Sequence, residues 1–445
     1  MRIKSTRVTG EPRATATGQP PPARCDTAGM RRITVDERRS RLAYRHRLAP
    51  GRRGGGPVDV AESLVALHAT DPASVYLAIR ARAEVTADEI DAALYDDRTL
   101  VRTLGMRRTM FTLPVEAAGI VHAACTRAIA VRERAALVRL LADTAEIAAE
   151  AGGDVDGWLR DLERATRTAL DALGEATNTE LTRAEPRLGR RVLLAAGKPY
   201  QAWQSISTRV LFLLAADGHL VRGRPRGSWT SSQNRWTPVR TWLPAGIAEW
   251  SPDDARVELV RRWLAAYGPG TVGDLKWWTG ATVGEIKRAL ARLDTVDVDL
   301  DGVTGLILAA DADSDSDDSA ASVPAGELGA RVPEPTADGS WIALLPALDP
   351  TPMGWADRGW YLGDHAPALF DRSGNVGPTV WCDGRIVGGW AQRADGTVRY
   401  RLLEDIGGAA GTAVAAEAAR LADWMGGVRV TPRFRTPLEK ELSGR

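Results

Sequence analysis

The sequence predicts an α+β fold, mainly α, in which three modules of helices closed by a hairpin follow one another and a β-rich module ends the chain. Three observations predict it. Apolar residues recur at helical spacing in successive groups of segments between residues 33 and 293. Each group closes on two short strand-like runs around a turn rich in Gly, Pro or Arg. Beyond residue 338 the period changes to alternating strands with Asp-Gly and Gly-Gly turns. Module lengths differ and no short repeat signature is visible, so tandem helix-turn-helix modules describe the pattern better than a solenoid. At 445 residues, 44% hydrophobic and 26% charged, the chain has the mass for two to four domains, and its composition excludes a disordered or fibrous protein.

Residues 1–32 are rich in Pro, Gly, Thr and Arg without periodicity and read as a disordered basic arm, or as an over-long start with no role. The first module, 33–126, opens at the cap candidate Thr34 with ITVDERRSRLAYRHRL. It continues through VDVAESLVALHAT, SVYLAIRARA and the Thr-capped TADEIDAALYDD, and closes on RTLVRTLGMRRTMFTLP, two strands around a Gly-Met-Arg-Arg turn. An Ala/Arg/Leu/Glu-rich helical connector spans 127–173. The second module, 174–250, has helices at NTELTRAEPRL and AWQSISTRVLFLLAADG and a basic hairpin, HLVRGRPRGSWTSSQNRWTPV. The third, 251–310, reads as three helices, ARVELVRRWLAAYG, TVGDLKWWTG and TVGEIKRALARL, then the strand pair VDVDLDGVTGLILAA. Residues 311–338 form an acidic linker holding Asp311, Asp313, Asp315, Asp317 and Asp318; it lacks the central Gly and terminal Glu of a calcium loop, so a solvated linker is expected. The last module, 339–435, carries strands at WIALLPALDP, PTVWCDGRIVGGWAQ and TVRYRLLE and a closing helix, AAGTAVAAEAARLADWMGG.

Lys+Arg at 58 against Asp+Glu at 57 leaves a formal charge of +1, which taken alone argues against a nucleic-acid binder held by overall charge. Locally the balance is different. Residues 1–57 hold fourteen cations against four anions, and five of the 58 cations are lysines, the other 53 arginines. Arginine is the better bidentate donor to phosphate and guanine, although codon usage gives the same bias. Cys25, Cys125 and Cys382 lie far apart with no metal-ligand spacing, so neither a metal site nor a disulfide framework is expected and a reducing cytoplasm fits. No apolar run is long enough to span a membrane and none resembles a signal peptide.

Of the five histidines, His46, His122, His219 and His365 have no adjacent carboxylate or second ligand and read as structural or surface residues. His68 differs. In LVALHATDP it ends an apolar helix two residues before Thr70, and Asp71-Pro72 turns the chain. A helix breaking there places a titratable base and a hydroxyl at one loop mouth, where they can hold a water; a capping histidine is the competing reading. Asp71 is the nearby carboxylate, for charge stabilisation or for turn capping. Arg102, Arg107, Arg108 and Thr109 on the first hairpin and Arg222, Arg224 and Arg226 on the second stand where wings meet phosphates, or else form solvated loops. Trp277, Trp278, Trp341, Trp355, Trp381 and Trp390 read as core rather than as base-stacking platforms.

Five ordered blocks carry a resemblance over about residues 33–430: LVALHATDPASVYLAIRAR, ALYDDRTLVRTLGMRRTMFTLP, LAAYGPGTVGDLKWWTG, LLPALDPTPMGWADR and VWCDGRIVGGW. They resemble the signature blocks of the winged helix DNA-binding domain family that contains the AlkZ-like DNA glycosylases. The resemblance implies three tandem winged helices and a C-terminal β-barrel forming a C-shaped basic channel around duplex DNA. It also implies excision of N-alkylated bases, with a glutamine–x–glutamine motif placing the hydrolytic water. Here His68 and Thr70 stand at the two glutamine positions, and Arg107, Arg108, Thr109 and Met110 are followed by Phe111 where the family's hairpin usually carries a histidine. A neutral His68 can accept a proton from water that Thr70 orients, whereas an amide only orients.

The implied reaction is hydrolysis of the N-glycosidic bond of N7- or N3-alkylated purines. A cationic base is a good leaving group, so the site chiefly needs a placed water and stabilisation of an oxocarbenium-like sugar. No lysine lies between Lys4 and Lys198 to act as an amine nucleophile, so a monofunctional hydrolase without metal or cofactor is expected. The expected partner is duplex DNA containing alkylated bases, bulky adducts or crosslinks among them, with no membrane. The expected protein is a monomer, cytoplasmic and nucleoid-associated. The alternative is a non-catalytic winged-helix DNA-binding protein or regulator that kept the channel.

Overall fold

A computed structural model describes residues 29–195, 197–198, 201–312 and 341–444. Helix Val35–Arg45 starts where Thr34 accepts a hydrogen bond from the Glu37 amide, with Asp36 and Glu37 in the first turn against the helix dipole. The chain then runs through helix Pro57–Ser63, a two-residue strand Leu67–His68, and helices Pro72–Arg80 and Ala87–Asp91, the last continued by a wide turn, Ala92–Asp96. Strands Leu100–Leu104 and Met110–Pro114 form the first hairpin, and Leu67–His68 pairs with the outer edge of Met110–Pro114. The connector contains helices Arg127–Ala142, Ala145–Glu150 and Val155–Leu173. Arg134 on the first of these pairs with Glu163 on the last at 2.7 Å.

The second group departs from the expected pattern at AWQSISTRV. Its first residues form strand Ala202–Ser205, paired with Arg191–Leu194, and the helix begins only at Ser207. Helix Ser207–Ala216 is apolar and mostly buried from Val210 onward, and strands Leu220–Arg222 and Trp236–Pro238 follow it. The third group forms as expected, with helices Pro252–Tyr267, Val272–Thr279 and Val283–Leu290 and a hairpin of Thr295–Asp299 with Thr304–Leu308. Thr271 and Thr282 each head a reciprocal capping box with Asp274 and Glu285.

Two boundaries shift. Arg31 and Arg32, placed by sequence in the disordered arm, form a short strand parallel to Val298–Asp299, and Arg32 pairs with Asp301 at 2.7 Å. Asp311, placed in the solvated linker, is buried and paired with Arg45 at 2.8 Å. The remaining aspartates of that linker, and residues 1–28 of the arm, lie outside the described residues.

The C-terminal strands Ile342–Leu345, Thr379–Cys382, Arg385–Gln392 and Val398–Leu402 form an antiparallel meander in chain order. The expected barrel-like closure is absent. The first and last of these strands do not pair with each other among the described residues, and the sheet is instead covered by helices Gly408–Met425 and Pro437–Ser443. Covering faces with helices removes the need to close the sheet on itself. One large core runs through the first group, the third group and this sheet, and a second core joins the connector to the second group. At the centre of the first, Arg82 and Asp349, both fully buried, pair at 2.7 Å. His46 there hydrogen-bonds Thr351 Oγ1 and the Ala266 carbonyl. Trp278, Trp355, Trp381 and Trp390 are core residues, as expected.

Candidate active site

His68 does not end a helix. Helix Pro57–Ser63 stops because Leu64 and Val65 leave helical geometry, Val65 at φ 62°, and the next residues extend along the first hairpin. His68 pairs with Phe111, its ring edge-on to the phenyl at 5.5 Å, and the Ala69 amide donates to the Met110 carbonyl at 2.8 Å. The ladder reaches Ala69, and Thr70 follows at a bend before Asp71 caps the next helix. His68 and Thr70 therefore stand two positions apart where a short strand ends, rather than at a helix break.

The His68 ring is 9% exposed. Burial, with the Arg107 guanidinium nearby, lowers its pKa to about 3, so the ring is neutral at physiological pH. Nδ1 is buried with no hydrogen-bond partner. Thr70 is half-exposed, and its carbonyl accepts from Arg433 Nη1 at 3.4 Å.

Asp71 caps helix Pro72–Arg80, accepting from the Ala73 amide at 3.2 Å, and its second oxygen accepts from the Arg433 amide at 2.9 Å. Burial raises its pKa, and these two amides and the Arg433 and Arg102 charges oppose that rise. Its carboxylate therefore ties the mouth to the C-terminal segment. Both the capping reading and a negative charge beside Thr70 are consistent with this place.

The hairpin arginines divide into two kinds. Arg108, at φ 61°, pairs with Glu133 at 2.8 Å and lies over Phe212. Arg224 pairs with Asp91 and Asp96 over Tyr95, and Arg226 pairs with Glu180. Arg102, Arg107 and Arg222 have no ion pair among the described residues. Arg102 donates to the Ala69 carbonyl and to Asn234 Oδ1. Arg107, at φ 51°, stacks on Trp277 at 4.1 Å, and Arg358 lies 5.0 Å from the same indole. Burial and Arg358 lower the Arg107 pKa to about 10. Gly280, itself at φ 76°, leaves room there: a Cβ on it would sit 3.2 Å from Arg107 Cγ. Trp277 is half-buried, packed against the large core with both cations at its ring. Thr109 Oγ1 turns back to the Arg107 carbonyl at 3.4 Å.

A cleft of about 590 Å³ lies between the first hairpin and the second group, lined by Leu104 and Met110 on one side and Phe212, Arg222, Asn234 and Trp236 on the other. The loop of the second hairpin does not project freely. Trp229 stacks on Tyr76 at 5.1 Å and meets Trp424 edge-on at 5.7 Å, which docks the loop against the first group and the C-terminal helix. Arg433, Asn234, Trp229 and Arg358 all contribute to the neighbourhood without having been singled out by spacing. Each comes from a loop far along the chain from His68 and carries no periodic signal. Among the described residues no group of His, Cys, Asp and Glu has metal-binding geometry. No described helix is long and apolar enough to cross a membrane.

The family model for AlkZ-like DNA glycosylases matches residues 61–424. No curated protein matches the chain. Among solved structures, the DNA glycosylase AlkZ of Streptomyces sahachiroi is similar in fold, with a TM-score of 0.63 at 21% identity, covering 90% of this chain and 99% of that one. The family match spans most of the chain, from the helix before His68 to the C-terminal helix: the chain belongs to the AlkZ-like DNA glycosylase family.

Proposed function

We propose that the chain is a monofunctional DNA glycosylase that hydrolyses the N-glycosidic bond of N7- or N3-alkylated purines in duplex DNA. The helix groups with their hairpins act as three winged helices around a C-shaped, basic channel. The observation that carries the reading is the state of His68: buried, neutral, its Nδ1 without a hydrogen-bond partner among the described residues, and two positions before the half-exposed Thr70. A neutral imidazole in that place accepts a proton from water, and the Thr70 hydroxyl orients the same water. Asp71 holds the Thr70 turn in position and keeps a negative charge near the sugar as positive charge develops on it. Arg102, Arg107, Arg108, Thr109, Arg222, Arg224 and Arg226 supply the DNA contacts.

Incubating the purified protein with duplex DNA containing N7-methylguanine tests this. The expected result is abasic sites that break only after alkali treatment. Strand cleavage without alkali would replace hydrolysis by lyase chemistry. Tight duplex binding with no base release would turn the reading to a DNA-binding protein without catalysis.

A further inference from the structure

Three arginines around the Thr70 turn form no ion pair among the described residues, unlike Arg108, Arg224 and Arg226 on the two hairpins. Arg102 comes from the first hairpin, Arg222 from the second, and Arg433 from the segment after the C-terminal helix. Arg102 Nη2 reaches the Ala69 carbonyl at 3.3 Å and Arg433 Nη1 the Thr70 carbonyl at 3.4 Å, so both guanidiniums lie against one short stretch of backbone. Arg222 sits over Trp236 at 4.7 Å and feels the charges of both. Arg102 is 5% exposed, and the Nε atoms of Arg102 and Arg222 are buried without acceptors. The Asp71 carboxylate at this turn is occupied by two backbone amides and forms no ion pair with any of the three among the described residues.

Three guanidiniums held this close repel one another, and burial together with Arg102 and Arg433 lowers the Arg222 pKa to about 10. At Arg108, Arg224 and Arg226 the chain neutralises such charge itself, through Glu133, Asp91, Asp96 and Glu180. Here Asp71 lies within electrostatic range of Arg433 and Arg102 but no carboxylate pairs with any of the three among the described residues, and buried donors without acceptors mark a place completed from outside the chain. Planar guanidinium forks match a tetrahedral oxyanion through paired N–H bonds.

We propose that Arg102, Arg222 and Arg433 form a single-anion subsite that takes one backbone phosphodiester of bound DNA beside the His68–Thr70 mouth. This rests on the DNA-glycosylase reading and deepens it. The ion-paired arginines bind DNA by exchanging partners, whereas this subsite gains a partner outright. Because the three side chains come from three parts of the chain, one phosphate draws those parts together and fixes the sugar relative to Thr70.

The test uses the full chain and a duplex with one tetrahydrofuran abasic-site analogue, which cannot be cleaved, and replaces the phosphates around it one at a time by neutral methylphosphonate. The wild type is expected to lose about tenfold in affinity at one phosphate, the scale of a charge-assisted hydrogen-bond pair. Arg433→Gln, at an exposed side chain, and Arg222→Gln are expected to lose about as much on the unmodified duplex and nothing further at that same phosphate. Losses that multiply at every phosphate overturn the proposal. So does binding of inorganic phosphate that depends on Arg433 while no methylphosphonate position couples to it, which would make the site one for a free anion. Coupling that persists in a protein unable to release N7-methylguanine would refute the enzymatic reading and leave the subsite standing.

Discussion

His68→Gln should remove a block of acid sensitivity from folding. The folded-state pKa of His68, about 3, lies below the ordinary histidine value of 6.5, because charging the ring means placing a cation in a buried site near Arg107. As pH falls, the unfolded chain therefore takes up the proton first. The stability contributed by the neutral ring is complete above the unfolded pKa and is withdrawn as pH drops from about 7 toward 3. Integrating the unfolded-state titration from pH 7.5 to 5.0 gives a loss of about 2 kcal/mol from this residue, at about 1.4 kcal/mol per pH unit once the unfolded histidine is protonated. His46, His122 and His219 also have lowered pKa values, so the wild type alone does not isolate the effect. Urea unfolding of wild type and His68→Gln at both pH values does. The wild type should lose about 2 kcal/mol more than the variant between pH 7.5 and 5.0. Equal losses would mean that His68 is solvated or already charged in the folded protein, and the argument for a neutral base would fail.

Two further predictions concern the frame and the DNA surface. Arg82→Met strands the fully buried Asp349 without its partner and should cost about 3–5 kcal/mol in urea unfolding, whereas a loss under 1 kcal/mol would mean that water reaches the pair. Arg224→Gln should weaken duplex binding and lower the slope of log affinity against log salt by about one, measured by fluorescence anisotropy across salt concentrations; an unchanged slope would mean that Arg224 stays with Asp91 and Asp96 when DNA binds.

The order of helices and hairpins could be read from periodicity and capping residues, because Thr34, Thr86, Thr271 and Thr282 each sit at a helix start and direct the following turns. Strand Ala202–Ser205 could not. AWQS leads without a turn signal into the helical run that begins at Ser207, and its pairing with Arg191–Leu194 is a contact that composition does not encode. His68 shows the same limit at the site. Its chemistry and its spacing to Thr70 were legible, but its place on a strand edge depends on Val65 taking a left-handed backbone and on Phe111 across the hairpin. The change of element moves His68 from a helix end to a strand end, with Thr70 at the bend that follows. The near-neutral net charge concealed more. The structure sorts the hairpin arginines into those that carry their own counter-ion and those that do not, and only the folded chain makes that distinction.

The central claim is that a neutral His68 accepts a proton from the attacking water. Single-turnover release of N7-methylguanine from duplex DNA by wild type and His68→Ala, with duplex affinity measured alongside, tests it most directly. The account predicts that His68→Ala lowers the rate by about 10²–10⁴, the usual scale for loss of a general base, with affinity nearly unchanged. A variant that releases the base at the wild-type rate would contradict it.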